Sequence, residues 1–144
     1  MKIVMTAAVF DLCHRGHLNI LKAMRAEAGV DGLVVVFLHD DKSIYDTKGK
    51  IPIQSFEQRK RNLEITELVD VIYCVSDYND LAIGIRMAYD EYFKKLDGAI
   101  WMRGDDWTDF PARKTIEELG IKIKFLPYTV GISSSLIRSG LEGL

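Results

Sequence analysis

Five short apolar runs, each separated from the next by a polar or amphipathic stretch, constrain this chain more than any other feature. They are Ile3–Val9, Gly32–Leu38, Val69–Val75, Gly98–Met102 and Ile121–Leu126. Runs this short read as strands, and the continuously apolar ones, such as Gly32–Leu38, as strands buried on both faces. Helical stretches lie between them. One covers His17–Ala28 and stops near Gly29. One opens with the capping-box pair Ser55 and Gln58 and continues to about Leu68. A third runs from Asn79 or Asp80 to about Leu96. A short one starts at Pro111 and ends at Gly120, and Ser133 caps the last. The polar stretch Lys42–Ile53, with Gly49 and Pro52, reads as a loop. Strands alternating with helices specify an α/β fold, a Rossmann-like five-stranded parallel sheet with helices on both faces. The 144 residues are expected to form one domain, 1–144, large enough to bury its own core. There is no internal repeat and no low-complexity stretch.

In sheets of this kind ligands bind beyond the carboxyl ends of the strands. That rule gathers Phe10–His17, His39–Ile53, Arg103–Asp109 and Pro127–Ser135. The net charge of −2 gives no general attraction to nucleic acid or anionic membrane, so any anion must be held by local placement of charge. The first segment reads Val9-Phe10-Asp11-Leu12-Cys13-His14-Arg15-Gly16-His17. Its two imidazoles, three residues apart at a strand-to-helix turn, can act on one group. Gly16 lets backbone approach that group. The helix start adds free N–H groups and a positive dipole end, which suits nucleotide phosphates. A metal site would want a third ligand at a suitable spacing. Cys74 is distant in sequence and His39 is the only other histidine, so phosphate chemistry is the better reading.

The remaining segments carry weaker signals. Lys48-Gly49-Lys50 can close over an anion as a flap, or be an ordinary solvated loop. Arg59, in Glu57-Gln58-Arg59-Lys60-Arg61, is recommended only by its nearness to that flap. Gly104-Asp105-Asp106-Trp107 offers two carboxylates to Mg²⁺ or to a base amine; alternatively it caps a turn and Trp107 joins the core. In Thr129-Val130-Gly131-Ile132-Ser133-Ser134-Ser135-Leu136-Ile137-Arg138, the hydroxyls at a helix start form a second phosphate cradle. Arg138 adds charge about one turn inside.

Taken together, these residues resemble the cytidylyltransferase branch of the His-x-Gly-His nucleotidyltransferases, and most of all the bacterial glycerol-3-phosphate cytidylyltransferases. The resemblance covers nearly the whole chain. It rests on Phe10-Asp11-x-x-His14-x-Gly16-His17, Lys48-x-Lys50, Glu57-x-Arg59-Lys60, Gly104-Asp105-Asp106-Trp107 and Thr129-x-Gly131-Ile132-Ser133-Ser134. It implies transfer of CMP from CTP to a phosphorylated small alcohol, such as glycerol 3-phosphate or phosphoethanolamine. The products would be a CDP-alcohol and pyrophosphate, with Mg²⁺ bound mainly through the triphosphate. By the same resemblance His14, His17 and Lys48 are catalytic. Val9, Phe10, Asp11, Gly16, Arg59, Gly104, Asp105, Thr129, Gly131, Ile132, Ser133, Ser134, Ser135 and Arg138 bind the nucleotide, and Lys50 and His39 face the acceptor. A cytoplasmic homodimer is expected.

Several positions depart from that pattern. Ala8-Val9 replaces the family's Gly-Thr. Tyr128 and Val130 replace the Arg and Glu of its Arg-Thr-Glu-Gly-Ile-Ser-Thr string. Leu81 stands where the glycerol-3-phosphate enzymes carry a lysine, and His39 where the family carries a small hydroxyl residue. Two alternatives follow. One is an adenylyltransferase of the same superfamily using ATP, since Ile132-Ser133-Ser134-Ser135-Leu136-Ile137-Arg138 resembles the string of those enzymes. The other is a non-catalytic nucleotide-binding domain, suggested by Tyr128. Two further expectations come from the rest of the sequence. No apolar run approaches the ~20 residues that span a bilayer, and the start, Met1-Lys2 before a short β-branched run, is not that of a signal peptide. Cys13 and Cys74 form no Cys-x-x-Cys pair and read as free thiols.

Overall fold

A computed structural model describes residues 1–48, 51–76, 78–93, 98–105, 110–127, 129 and 131–142. In chain order the elements are β1 (Ile3–Ala8), α1 (Arg15–Ala28), β2 (Leu33–His39), α2 (Asp41–Lys48), α3 (Phe56–Ile65) and β3 (Val71–Val75). Then come α4 (Tyr78–Ala88), β4 (Ala99–Gly104), α5 (Arg113–Glu118), β5 (Lys122–Leu126) and α6 (Ser134–Glu142). Among the described residues the five strands form one parallel sheet in the order β3-β2-β1-β4-β5.

The continuous apolar runs are explained by what covers each face. On one face Ile3, Met5, Val35, Phe37 and Trp101 pack against Leu81, Ile85 and Ala88 of α4 and Ile116 of α5. On the other, Val4, Val34, Val36, Leu38, Ile100 and Met102 pack against Leu21, Met24 and Ala28 of α1 and Leu63 of α3. Successive strand residues point to opposite faces, so a strand covered on both must be apolar at every position.

The order reverses at β1, and there the sheet opens. β1 pairs with β2 along its whole length, from Ile3↔Leu33 to Ala8↔Leu38. It pairs with β4 only from Ile3↔Ala99 to Met5↔Trp101. Beyond that point Thr6–Ala8 stay with β2, while Met102–Gly104 stay with β5. The parting leaves a crevice between the carboxyl ends of β1 and β4.

Besides end shifts of two or three residues, as in α3, β3 and β4, three elements differ from the sequence expectation. Lys42–Ile53 is not all loop, because α2 occupies Asp41–Lys48. The Asp40 carboxylate accepts from the Ser43 N–H at 2.7 Å, satisfying a first-turn amide that would otherwise lack a partner. This helix buries only Ser43 and Ile44 among its described side chains, too little for an apolar period to show. α5 begins at Arg113 rather than Pro111, since Ala112 adopts the left-handed region with φ 70°. α4 ends at Ala88, and a π-helical turn, Tyr89–Phe93, follows it.

Arg59 is fully buried, with 0% of its surface exposed. It is not the flap-side cation that its neighbours suggested. Its Nη1 donates to the carbonyls of Val9 and His39, both at 2.8 Å. Its Nε donates to the Gln54 carbonyl at 3.1 Å, and its Nη2 pairs with Asp41 Oδ1 at 2.7 Å. One guanidinium thus ties the ends of β1 and β2 to the starts of α2 and α3. Arg59→Met keeps the volume but leaves those acceptors without their donor. We expect a loss of about 3–5 kcal/mol, read as a lower midpoint in urea unfolding. A change under about 1 kcal/mol would show that the clamp is dispensable.

Candidate active site

The crevice between β1 and β4 is a cavity of about 270 Å³. Its floor is Thr6, Ala7 and Ala8, whose small side chains leave it open. One wall is the start of α1, with His14, Gly16 and His17. Beside it stand Thr129, which Asn19 of α1 contacts, and Ser133 and Ser134 at the start of α6, and Arg103 and Gly104 close the β4 side. Two helix N-termini therefore face one space, each with a positive dipole end.

The turn from β1 into α1 is built to present the histidines. Phe10 and Leu12 take positive φ values of 51° and 50°, which costs non-glycine residues roughly 1–2 kcal/mol each. The segment after α2 holds them there. Asp11 accepts from the Ile53 and Gln54 N–H groups at 2.9 and 3.0 Å, and Gln54 Oε1 accepts from the Leu12 N–H at 3.0 Å. Asp11 is buried and spends its carboxylate on these amides, not on the cavity.

The two imidazoles cap the helix they begin. His14 is the N-cap, and its Nδ1 accepts from the Gly16 N–H at 3.0 Å. His17 Nδ1 accepts from the His14 N–H at 3.2 Å. The rings stack with centroids 3.9 Å apart, and Phe10 packs on His17 at 5.0 Å. An Nδ1 that accepts from an amide is unprotonated, so each neutral ring carries its proton on Nε2. Burial, followed by the neighbouring His14, pushes His17 down to about 4, while Asp11 opposes the shift more weakly. Burial and then Arg15 also lower His14. Both are thus neutral Nε2–H donors near neutral pH. Gly16 is required for space: a Cβ there would lie 2.9 Å from His14 Cε1.

The second cradle is anchored to the first. Ser133 Oγ accepts from the Leu136 N–H at 3.1 Å and caps α6. Ser134 Oγ donates to the Asp11 carbonyl. Thr129 Oγ1 accepts from Asn19 Nδ2 at 3.2 Å. Gly131, at φ 87°, makes the turn into the helix.

Of the residues proposed from sequence, Phe10, His14, Gly16, His17, Gly104, Thr129, Ile132, Ser133 and Ser134 line this cavity. Others stand outside its lining. The Val9 carbonyl is engaged by Arg59. Asp105 is exposed at the end of β4, where its N–H donates to the Leu126 carbonyl at 2.8 Å. Ser135 is exposed on α6. Arg138 Nη2 donates to the Ile51 carbonyl at 3.3 Å, bracing the segment after α2. His39 is 3% exposed at the end of β2, with Nδ1 3.3 Å from Ser43 Oγ. The side chain of Lys48, together with Lys50, Asp106, Trp107, Tyr128 and Val130, lies outside the described residues.

Sequence reasoning missed Arg103. The signal was there: a cation one residue before Gly104, at the carboxyl end of a strand beside the switch point. It was passed over for the carboxylates that follow. Its guanidinium lies 4.6 Å from the Phe110 ring centroid, which holds a cation at the cavity wall. Among the described residues no cluster of three His, Cys, Asp or Glu side chains could hold a metal ion. The cavity's donors are imidazole, hydroxyl, guanidinium and backbone amide, the chemistry of an anion site.

Comparison with known proteins agrees with this geometry. The family described as cytidylyltransferase-like matches residues 5–140. The chain belongs to the cytidylyltransferase-like family. It is similar to the glycerol-3-phosphate cytidylyltransferase of Bacillus subtilis (strain 168), at 31% identity over 147 residues covering 100% of each chain. It is also similar to the FAD synthase of Pyrococcus abyssi, at 32% identity over 130 residues, 87% of this chain and 80% of the relative. Among solved structures it is similar to a lipopolysaccharide core biosynthesis protein from Thermoplasma volcanium GSS1. That likeness has a TM-score of 0.62 at 27% identity, covering 90% of this chain and 97% of the other. Nucleotidyl transfer is the chemistry of this superfamily. No helix among the described residues is long and apolar enough to cross a membrane.

The histidine environment has a direct consequence in solution. ¹⁵N-detected NMR should find His14 and His17 in the Nε2–H form, with His17 unprotonated from pH 8 down to about 5. His17 titrates near 6.5 when unfolded and about 4 when folded. The unfolded chain therefore binds the extra proton between those values. The stability this contributes is complete above about 6.5, and falling pH removes it progressively down to about 4. A His17 titrating at its ordinary value in the folded protein would refute the capping arrangement.

Proposed function

We propose that this protein transfers CMP from CTP to a small phosphorylated acceptor, releasing pyrophosphate. The observation that carries the proposal is the pairing of neutral Nε2–H imidazoles on one helix N-terminus with a hydroxyl-lined second N-terminus in a single cleft. An oxygen of the acceptor phosphate attacks the α-phosphorus. A new P–O–P bond forms as the bond to the bridging oxygen of the leaving pyrophosphate breaks. No covalent enzyme intermediate is needed. His14 and His17 donate to phosphate oxygens as charge accumulates on them. Ser133, Thr129 and the positive ends of both helix dipoles hold the phosphates in line. Catalysis is alignment plus charge stabilisation in a preorganised site.

In this proposal Lys48 closes over the triphosphate and Lys50 faces the acceptor. Mg²⁺ arrives on the triphosphate and, when bound, neutralises part of its charge. An anion-binding donor set fits a cation carried in by its ligand. CTP is favoured by the full-length similarity to a glycerol-3-phosphate cytidylyltransferase. ATP is the second reading, favoured by the similarity to an FAD synthase, whose product carries an adenylyl group. Asp105, exposed at the rim, is proposed to accept from the cytosine amine. The working form is proposed to be a homodimer, on the strength of the resemblance alone.

The test is pyrophosphate release from CTP, ATP, GTP and UTP across a panel of phosphomonoesters, with and without Mg²⁺. CTP should give the highest kcat/KM, and omission of Mg²⁺ should abolish turnover. Higher kcat/KM with ATP across the panel would replace CTP as donor, and nucleotide binding with no turnover would leave a non-catalytic domain. His14→Ala and His17→Ala should each lower kcat by about 10²–10³ with little change in nucleotide KM, because such donors act mainly in the transition state. Raised KM with unchanged kcat would make the pair a binding element only. Sedimentation equilibrium at micromolar concentration should give twice the chain mass, and a fully active monomer would overturn the dimer.

A further inference from the structure

A second cavity, of about 120 Å³, opens from the same crevice and shares Ala7, Ala8 and Arg103 with the first. It lies toward the other face of the sheet. Ala7 packs with the α4 and α5 core cluster, whereas α1, which carries the histidines, packs on the opposite face. Its far wall is His39, Leu81, Trp101 and Phe110. Trp101 and Phe110 are stacked with centroids 6.3 Å apart and are almost fully buried, so this wall is rigid. Leu81 is 3% exposed and His39 likewise.

Displacement at phosphorus requires attacking and leaving oxygens to lie roughly in line. The histidines and hydroxyls sit on the side where a triphosphate fits. The attacking group must then come from the side of Ala7 and Arg103, into which the second cavity opens. Arg103 stands at that junction, held against Phe110, and a guanidinium recognises a phosphomonoester through paired donors. Behind it the lining is apolar except for His39. The cavity is less than half the volume of the first, room for a short body. The two sequence departures that bear on the acceptor, Leu81 for a lysine and His39 for a small hydroxyl residue, both line this one cavity.

We propose that the second cavity is the acceptor subsite, in which Arg103 holds the acceptor's phosphate while Leu81 and His39 select a short, largely apolar body over a polyol. This rests on the nucleotidyl-transfer reading. Arg103 touches the substrate, and Leu81 and His39 determine specificity.

The decisive comparison is n-propyl phosphate against glycerol 3-phosphate, which share three carbons and differ by two hydroxyls. Binding is measured by calorimetry on the full chain, with and without a non-hydrolysable CTP or ATP analogue. Turnover is measured in parallel by pyrophosphate release. Propyl phosphate should bind at least tenfold more tightly. Arg103→Met, which keeps the packing over Phe110, should weaken both ligands at least tenfold. Leu81→Lys should reverse the preference, with nucleotide KM unchanged. His39→Ser should narrow it, and it supplies the same readout if Leu81→Lys does not fold. Equal or better binding of glycerol 3-phosphate to the wild-type chain would overturn the proposal. So would a preference unchanged in Leu81→Lys and His39→Ser, or no binding of either ester. Turnover of a polyol phosphate indifferent to these substitutions would sink the subsite and leave nucleotidyl transfer standing. Binding that depends on Leu81 and Arg103, without pyrophosphate release from any nucleotide, would keep the site and remove the transfer reading.

Discussion

The buried guanidinium of Arg59 is the interaction on which the geometry of this site depends. A charge with no exposed surface persists only when its donors are matched. Here they are matched by the carbonyls at the ends of β1 and β2, by Gln54 and by the Asp41 carboxylate. Strand ends have carbonyls with no ladder partner, and these are buried under α2 and α3. Arg59 satisfies them and fixes where β1 releases the chain into the histidine turn. It also orients α2, the helix that ends in Lys48. The residue thus sets the relation between the phosphate cleft and the segment proposed to close over it, without reaching the cleft itself.

The cleft exists because β1 and β4 stop pairing at Met5 and Trp101 while each keeps its other neighbour. A glycine-rich phosphate loop wraps backbone amides around its anion. This chain instead points two helix starts at the same space and lets imidazoles cap one of them. The capping determines the chemistry. Each Nδ1 is used by an amide, so the proton must sit on Nε2, and burial keeps His17 neutral. Charge developing on a phosphate oxygen would strengthen the hydrogen bonds it accepts from these Nε2–H donors, which is the requirement for stabilising a transition state more than a ground state.

The five strands of the sheet were legible, most clearly the central ones, whose faces are both covered, although β3 begins two residues later and β4 ends two residues later than the sequence suggests. Val34-Val35-Val36-Phe37-Leu38 has no polar residue to confuse with a loop, and its length excludes a helix. The His14 and His17 pair was legible because its residue types are informative at a strand-to-helix turn. α2 was not, because its stability comes from the Asp40 cap and the Asp41–Arg59 pair rather than from an apolar stripe. Arg59 was picked out by its nearness to the flap and Asp11 by the family resemblance; neither reading could supply the long-range partners, since each bonds backbone far along the chain, Asp11 at positions 53 and 54 and Arg59 at 9 and 39. Arg103 was overlooked for a related reason. Its significance comes from facing two cavities at once, a relation set by the parting of β1 and β4, which no local pattern encodes.

The histidine turn also shows where stability is given up for function. Phe10 and Leu12 occupy left-handed backbone with side chains that disfavour it, and Gly16 cannot carry even a methyl group without meeting His14. Left alone, such a turn would relax and take the imidazoles out of register. It is held by bonds from outside itself: Asp11 to the amides at 53 and 54, Gln54 to Leu12, and Ser134 to the Asp11 carbonyl. Those partners come from the segment after α2 and from α6, elements that also carry the proposed flap and the second phosphate cradle. Straining this turn and bracing it from both sides couples the histidine positions to the two elements that would meet a nucleotide. The strain is therefore kept at the one turn whose geometry the chemistry requires, and it is held there by the elements that flank the cleft.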